Sequence, residues 1–275
     1  MDKEIEDFEQ DGFDMDHAEA EEILDDLAFY RTLLANVCMI GKPDTAEWVL
    51  IDTGAANYSK RIRAACQKRY GSAPPKAIIL THGHFDHVGS AKKLAEYWDV
   101  PIYIHPKEID YVNGTKQYPP ADPTVGGGII SLLSPIFPTK AVNLDEWVRP
   151  LPDDGELPFL ADWKYILTPG HSPGHISLFR KHDRTLVAGD AITTEKAESG
   201  IAVFFALQKV HGPPAYFTHE WDRAEESVKT LAELDPEVLI TGHGLPMSGE
   251  LLRKQLHELA ANFKTLAIPK HKREH

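Results

Sequence analysis

The sequence predicts an α+β protein in which strands and helices enclose one substantial core. From Tyr30 onwards, short apolar runs alternate with segments whose apolar residues recur at helical spacing. Four of the apolar runs end in histidine or aspartate beside glycine. The chain has 275 residues, enough for one or two domains. These features predict a globular protein with a polar site at the ends of its strands.

The N-terminal segment differs in charge from the rest of the chain. Residues 1–26 hold thirteen acidic side chains against Lys3 alone, so they carry −12 of the formal net charge of −13. Composition allows a solvated helix or a disordered arm. The helical interpretation is favoured because three apolar residues fall on one helical face: Ile23, Leu24 and Leu27. We expect the last turn of this helix to contact the main domain.

The elements after this segment follow from apolar periodicity and turn residues. Two apolar runs, at 30–41 and 47–54, flank the turn residues 41–44, which predicts a β-hairpin. Helices are predicted at 59–70, 90–99, 223–235 and 249–266. Short buried strands are predicted at 76–81, 100–106, 163–170, 175–180, 185–190 and 237–244.

This pattern divides the chain into an acidic extension, residues 1–28, and a main domain, residues 29–275. The main domain contains a Pro- and Gly-rich insertion at about 106–150. Apolar residues lie in the middle of the insertion, among them Ile129 and Leu132. A loop of this length inside a compact domain is usually functional or mobile. The insertion is therefore either a surface segment packed over the core or an apolar flap over a pocket.

Composition excludes several classes of function. Residues 27–275 hold 28 basic and 29 acidic side chains, so they offer no broad basic face to nucleic acid. The apolar runs are far shorter than the roughly 18 residues of a membrane span. The acidic start shows no secretory signal. Cys38 and Cys66 are the two cysteines, which excludes a disulfide framework. We expect a cytoplasmic protein without nucleic-acid or membrane partners.

A dense group of metal-binding side chains follows the apolar run at 77–80. His82, His84, Asp86 and His87 form the pattern H-x-H-x-D-H at a strand-to-helix turn. Alternate residues of an extended chain point to the same side, so the first two histidines can point together. After the turn, the aspartate and the last histidine can face a neighbouring position. Imidazole and carboxylate suit zinc and other borderline metals, so this turn offers parts of two metal sites.

Three later strand ends repeat this chemistry. TPGHSPGH supplies His171 and His175, AGD supplies Asp190, and TGHG supplies His243. Glycine beside each of them lets backbones approach an ion closely. A solitary histidine after a strand is more often a loop or capping residue than a ligand. Four strand ends with ligand chemistry predict a shared site.

The motifs THGHFDH, TPGHSPGH, VAGD and TGHG, in this order and after VLIDTG, resemble those of the metallo-β-lactamase superfamily. The resemblance covers about residues 30–250. It implies an αββα sandwich: two mixed β-sheets face to face, helices on the outer faces and metals at one edge. It also implies two divalent metal ions as cofactors, Zn2+ in the first place, with Fe or Mn as alternatives.

The resemblance implies a role for each motif residue. The first metal ion would be held by His82, His84 and His171. The second would be held by Asp86, His87 and His243, and Asp190 would bridge both ions. Two further residues would lie behind the ligands: Asp52, which either orients a ligating imidazole or caps a turn, and His175.

The implied chemistry is hydrolysis by a hydroxide shared between two metals, with Asp86 and Asp190 as catalytic carboxylates. Asp190 argues against a true β-lactamase. The motif TPGHSPGH is most similar to glyoxalase II and related thioester hydrolases, although residues 191–200 lack the glutathione-binding pattern. We predict a thioester, a lactone or an ester as substrate. The alternatives are a phosphodiesterase, an iron-dependent sulfur dioxygenase of the same fold and a non-catalytic interaction module.

The predicted partner is a small-molecule substrate with an apolar or acyl portion. Four residues are candidates for its pocket: Ile129, Leu132, Thr194 and Tyr216. Thr194 stands near the position where lactonases of this superfamily have a tyrosine, and Tyr216 either substitutes for that tyrosine or simply packs. The role of His219 is left open, and a homodimer is an open alternative to a monomer.

Overall fold

The computed structural model describes residues 18–125, 143–144, 146–195 and 209–273, which form two mixed β-sheets. Seven strands build the first sheet in chain order: β1 Glu21–Leu24, β2 Leu27–Arg31, β3 Asn36–Ile40, β4 Val49–Ile51, β5 Ile78–Ile79, β6 Ile102–Ile104 and β7 Val148–Pro150. The strands from β1 to β4 pair antiparallel, and those from β4 to β7 pair parallel.

Five strands build the second sheet: β8 Trp163–Leu167, β9 Ile176–Arg180, β10 Thr185–Val187, β11 Val238–Ile240 and β12 Met247–Ser248. Their spatial order is β12-β11-β10-β9-β8. β10 and β11 are parallel, and the other neighbours are antiparallel. Among the described residues, the α-helices are α1 Ser59–Tyr70, α2 Phe85–Val88, α3 Ala91–Trp98, α4 Ile109–Val112, α5 Trp221–Glu233, α6 Gly249–Ala261 and α7 Phe263–Leu266.

Side-chain alternation along the strands creates three apolar layers. In β4, Val49 and Ile51 face the second sheet and meet residues such as Leu178, whereas Leu50 faces α1 and α3. The outer face of the second sheet packs against α5 and α6, where Val228 is fully buried. The layers are therefore helix, sheet, sheet and helix, which confirms the predicted αββα sandwich with helices on the outer faces.

The helix predicted over Ile23, Leu24 and Leu27 is wrong. This stretch forms β1, a two-residue turn and β2, with Leu24 paired to Leu27. β2 crosses the predicted domain boundary at residue 28 and pairs along its whole length with β3. The segment forms strands instead of a helix because the edge of β3 offers it unpaired backbone N–H and C=O groups. Residues 1–17 of the predicted extension lie outside the described residues.

The predicted helices of the main domain are confirmed with small changes. α1 ends at Gly71, whose φ of 63° is left-handed and is readily adopted by glycine. The predicted last helix is broken at Asn262 into α6 and α7. In the predicted insertion, residues 106–125 form the 3-10 turn Pro106–Glu108, α4 and the 3-10 turn Pro123–Val125. Ile129 and Leu132 lie outside the described residues.

Across the described residues, no helix is both long and apolar enough to cross a membrane. The feature that matters for function is the edge of the sandwich where β4, β5, β10 and β11 end. Asp52 follows β4, His82 follows β5, Asp190 follows β10 and His243 follows β11. Parallel strands send their carboxyl ends to one side, so the topology brings these polar residues together.

Candidate metal centre

Three groups of buried side chains at this edge could each hold a metal ion. Within each group, the candidate ligand atoms lie within 4.8 Å of one another. The groups are His82, His84 and His171; His82, His87 and Asp190; and Asp86, His87 and His243. All seven side chains are buried, although they come from segments up to 161 positions apart in the chain. The structure thus brings together every residue predicted as a ligand.

The first group collects three imidazoles. His84 has extended backbone angles, so it points to the same side as His82, and α2 begins directly after it. The His84 Nδ1 and His171 Nε2 atoms are 2.8 Å apart. Burial, assisted by the neighbouring imidazoles, lowers the pKa of His82 and His171 well below its usual value and lowers that of His84 to about 3. Neutral imidazole is the form that binds a metal ion.

The third group, which comprises Asp86, His87 and His243, joins α2 to the end of β11. Asp86 and His87 lie in the first turn of α2, and His243 Nε2 is 3.5 Å from Asp86 Oδ2. His243 Nδ1 contacts the main-chain oxygen of Leu34 at 2.7 Å, which orients the ring. Although burial opposes it, the charge of Asp190 raises the pKa of His243 to about 9. Carboxylates therefore dominate the electrostatics of this group.

Asp190 lies between the first group and the third. Its Oδ2 is 3.0 Å from His243 Nε2 and 3.4 Å from His171 Nε2, and its Oδ1 is 3.4 Å from His87 Nε2. The charges of His243 and His87 outweigh burial and hold the pKa of Asp190 well below its usual value. Asp190 is therefore an ionised carboxylate that reaches histidines of both groups.

The donor atoms fit metal ions. Among the described residues, the buried atoms without a hydrogen-bond partner include His82 Nε2, His87 Nε2 and Asp190 Oδ1. Buried polar atoms without partners are costly in proteins and are usually satisfied by a ligand, an ion or water. All three atoms point into the cluster, where imidazole nitrogen and carboxylate oxygen form a donor set suited to zinc or iron.

Asp52 lies directly behind His87. Its Oδ2 is 2.8 Å from His87 Nδ1 and accepts a hydrogen bond from the hydroxyl of Thr81, and its Oδ1 accepts one from the main-chain N–H of Thr81. A carboxylate in this place keeps the proton on Nδ1 and leaves Nε2 free to bind an ion. Of the two interpretations of Asp52 from the sequence, the geometry matches the one in which it orients an imidazole.

His175 is part of the support for Asp190 rather than a member of the ligand groups. Its Nε2 accepts a hydrogen bond of 2.8 Å from the main-chain N–H of Asp190. Its Nδ1 is 2.8 Å from the hydroxyl of Thr168, to which it can donate. Both nitrogens are thereby engaged, and the ring fixes the turn that carries Asp190.

A pocket of about 180 Å³ opens beside His84 and His171, and aromatic rings form much of its wall. The ring centroid of Tyr118 is 4.3 Å from that of His84, and the ring of Phe217 stacks on His84 at 4.8 Å. Tyr111 stacks on Tyr118 at 4.2 Å. The pocket beside the cluster is therefore partly apolar, and its volume suits a small acyl or aromatic group.

Of the four pocket residues predicted from the sequence, the two within the described residues, Thr194 and Tyr216, do not line this pocket. The hydroxyl of Thr194 contacts the main-chain oxygens of His243 and Leu245, so it supports the His243 loop from behind. Tyr216 is buried in a small apolar cluster beside Phe217 and is not among the residues that line the pocket. His219, left open in the sequence, does line it.

Sequence reasoning missed Glu108, Tyr111, Tyr118 and Phe217. Phe217 directly follows the predicted Tyr216, so the aromatic pair was the available signal. Tyr111 and Tyr118 lie in the first part of the predicted insertion, where attention to its aromatic residues would have found them. Glu108 is fully buried and touches two of the ligand loops. A lone glutamate in a surface-like segment gives no signal of that kind.

Comparison with known proteins places these observations in a family. A model of the metallo-β-lactamase superfamily matches residues 30–243. The chain is 47% identical over 235 residues to the probable metallo-hydrolase YflN of Bacillus subtilis, covering 85% of this chain and 89% of that protein. It is 33% identical to the probable metallo-hydrolase YybB of the same organism, covering 71% and 74%.

Solved structures are similar to this chain over most of its length. TTHA1623, whose crystal structure is in a di-iron-bound form, has a TM-score of 0.52 at 25% identity and covers 79% of this chain and 92% of its own. A β-lactamase domain protein from Burkholderia ambifaria has a TM-score of 0.62 at 20% identity, covering 90% and 76%. The second likeness concerns the fold alone.

Proposed function

Because the chain belongs to the metallo-β-lactamase superfamily, we propose that it hydrolyses a carboxylic thioester, lactone or ester with the help of two metal ions. Family membership makes it a metallo-hydrolase with His/Asp groups able to hold metal ions. The observation that carries the finer proposal is the position of Asp190, whose two oxygens reach histidines of two separate ligand groups.

We assign the ligands from these contacts. The first metal ion would be held by His82, His84 and His171, and the second by Asp86, His87 and His243. Asp190 would be shared between them. Zinc is our first choice of metal. Iron is the second, since TTHA1623, at 25% identity, was crystallised in a di-iron-bound form.

Two metal ions bound there would act as Lewis acids and lower the pKa of a shared water toward neutrality. The residues of the chain supply the geometry. Asp52 holds the proton of His87 on Nδ1, and His175 holds the backbone of Asp190. Asp86 Oδ2 lies 3.5 Å from His243 Nε2, and in this proposal its carboxylate would take up the proton lost by the attacking water and give it to the leaving group. Burial of the whole cluster keeps bulk water away from it.

The pocket beside His84 and His171 supports an apolar acyl portion in the substrate. Tyr111, Tyr118 and Phe217 line it, and rings bind apolar groups through burial of their surface. His84 and His171, two of the proposed ligands, also line this pocket, so a bound acyl group would place its carbonyl next to the ligand groups. This arrangement favours a carboxylic ester or thioester over a phosphodiester.

The test is a comparison of initial hydrolysis rates over acyl thioesters, lactones, simple esters, phosphodiesters and β-lactams. Each would be measured on protein stripped by a chelator and then reloaded with zinc or iron. We expect metal-dependent hydrolysis of the carboxylic substrates, with rates that rise with the size of the apolar acyl group until about 180 Å³ is filled. Asp190→Asn should lose this activity, whereas the exposed His182→Ala should retain it.

Other outcomes of the same experiment contradict the proposal. Hydrolysis restricted to phosphodiesters would show that the enzyme cleaves a phosphodiester bond and not a carboxylic thioester, lactone or ester. Oxygen consumption by the iron-loaded protein, without hydrolysis of any substrate, would support the sulfur dioxygenase alternative and contradict hydrolysis. Equal rates with and without metal would remove the metal ions from the mechanism.

A cytoplasmic location and a small-molecule partner complete the proposal. Cys38 and Cys66 are both buried and free, which fits a reducing compartment. The net charge of −13 opposes binding to nucleic acid. Fractionation of cells would test the location; recovery of the protein outside the cytoplasm would contradict it.

A further inference from the structure

We propose that Glu108 is a positioning residue that holds the His82–His84 loop and the His171 loop in their metal-binding arrangement and joins both to the aromatic pocket. The inference rests on the proposed metal centre. It concerns a side chain outside the ligand groups, placed at the end of the 3-10 turn Pro106–Glu108 and just before α4.

Four hydrogen bonds converge on this one carboxyl group. Glu108 Oε1 accepts from the Ser172 hydroxyl at 2.9 Å and from the Gly174 main-chain N–H at 2.6 Å. Its Oε2 accepts from the Gly83 main-chain N–H at 3.1 Å and from the Tyr118 hydroxyl. Each oxygen therefore binds a different ligand loop, and one of them also binds the pocket.

These contacts lie next to the ligands in the chain. Gly83 stands between His82 and His84, and Ser172 directly follows His171. All three members of the first ligand group are thus within one residue of a hydrogen bond to Glu108. Since the Tyr118 ring also lies 4.3 Å from the ring of His84, the carboxyl fixes both the backbone of this loop and the ring beside its histidine.

The close approach of the loops to Glu108 explains two glycines. A Cβ at position 83 would collide with the Tyr118 hydroxyl, and one at position 174 would lie 2.8 Å from Glu108 Cγ. Either side chain would push its loop away from the carboxyl. The two loops are therefore built to lie against this residue.

Burial of Glu108 has a cost that packing alone does not explain. The side chain is fully buried, and desolvation raises the pKa of its carboxyl even though its four donors act in the opposite direction. An apolar residue of similar volume usually serves a purely packing role at lower cost. A buried carboxyl saturated by donors from three segments is instead suited to fixing their relative positions.

The variant Glu108→Gln tests this role with almost no change in shape. Each side of the carboxyl faces a main-chain N–H, that of Gly83 or that of Gly174, which can only donate. The amide NH2 of glutamine must face one of them, so one loop loses its acceptor in either orientation. We expect the affinity for zinc to fall about 10- to 100-fold, as is typical when a residue that orients ligands is changed.

Zinc affinity would be measured by competition with a chromophoric chelator, alongside the thermal midpoint of the metal-free protein. Tyr118→Phe keeps the ring and removes one donor, so a smaller loss of affinity is expected. Ser172→Ala removes one donor from the other loop and should behave in the same way. Glu96→Gln, on an exposed position of α3, is the matched control and should bind zinc like the wild type.

Wild-type zinc affinity in folded Glu108→Gln, with only a lower thermal midpoint, would overturn the positioning role. If that variant does not fold, unchanged affinity in both Tyr118→Phe and Ser172→Ala would overturn it instead. Failure of the proposed function looks different. If the wild-type protein binds no metal, the Glu108 inference falls with the metal centre. If it binds zinc but hydrolyses none of the substrates, the proposed reaction fails and the affinity test of Glu108 still decides its positioning role.

Discussion

Asp52 has a left-handed backbone, with φ of 60°, directly after β4. This conformation turns its carboxylate under His87 and Thr81. Aspartate and asparagine both tolerate it, so Asp52→Asn changes the chemistry without new backbone strain. An amide NH2 facing His87 would force the proton onto Nε2 and block that atom as a ligand.

We therefore expect Asp52→Asn to weaken metal binding about 10- to 100-fold and to lower turnover at fixed metal concentration. Chelator competition and initial rates would measure the two effects. Asp99→Asn is the control, because Asp99 has a similar φ of 54° at an exposed helix end. Excess zinc should restore much of the lost activity in Asp52→Asn; an unaltered metal affinity would contradict the orienting role.

Gly242 leaves room for the ligands at the end of β11. A Cβ there would overlap Asp190 Oδ1 and lie 2.8 Å from His87 Cε1. Gly242→Ala should therefore displace Asp190 and reduce bound metal and turnover by more than about tenfold. Gly114→Ala is a useful control, since a Cβ at Gly114 meets no atom within 4 Å and only its left-handed φ of 76° is strained. Full metal content in Gly242→Ala would show that the cluster tolerates a shift of Asp190.

At the scale of elements, the N-terminal hairpin is tied to the core by two buried arginines. Arg69 of α1 makes two hydrogen bonds of 2.7 Å to the Glu22 carboxylate of β1. Arg180 of β9 donates to Asp26 in the turn between β1 and β2. Both guanidinium groups are nearly inaccessible to solvent. Arg180 also binds Asp183 and would keep that partner, whereas the loss of Glu22 would leave the buried charge of Arg69 without a carboxylate among the described residues.

Deletion of residues 1–26 removes both carboxylates, whereas deletion of residues 1–17 leaves them in place. We expect the longer deletion to lower the free energy of unfolding by about 2 kcal/mol or more, the order of cost for unsatisfied buried groups. The shorter deletion should retain wild-type stability in a denaturant titration. Equal stability of the two truncated proteins would mean that the hairpin contributes little.

The same hairpin shows where sequence reasoning ends. Ile23, Leu24 and Leu27 match a helical face, but pairing with β3 makes this segment form strands. The apolar pattern of the segment alone does not show that pairing. The cluster of candidate ligands was predictable because each motif that contains them follows an apolar strand. Glu108 was not, because its partners lie up to 66 positions away and a single glutamate carries no periodicity.

At the scale of the whole molecule, the ligand groups join the two sheets. His82 follows β5 of the first sheet, whereas Asp190 and His243 follow β10 and β11 of the second. A metal ion that binds the folded cluster and not the unfolded chain stabilises the fold by about 2.7 kcal/mol at 100 times its Kd. Metal loading should therefore raise the stability of the entire sandwich.

We expect the thermal midpoint of chelator-stripped protein to rise when zinc is added back. The rise should be lost in Asp190→Ala, whose remaining groups cannot share a carboxylate. Scanning calorimetry would measure both proteins with and without metal. Identical midpoints for stripped and zinc-loaded wild-type protein would contradict a metal centre that spans the sheets.

The margins of the first sheet bear on self-association. β1 presents Glu21 and Glu22 to solvent, and its pairing is irregular between Glu22 and Leu24. At the opposite margin, β7 is short and ends in exposed Arg149 and Pro150. Charges, irregular pairing and proline all hinder the addition of a strand from another molecule. Two copies of this protein would therefore have to meet through other surfaces, and the sheet itself is protected from growing into an aggregate.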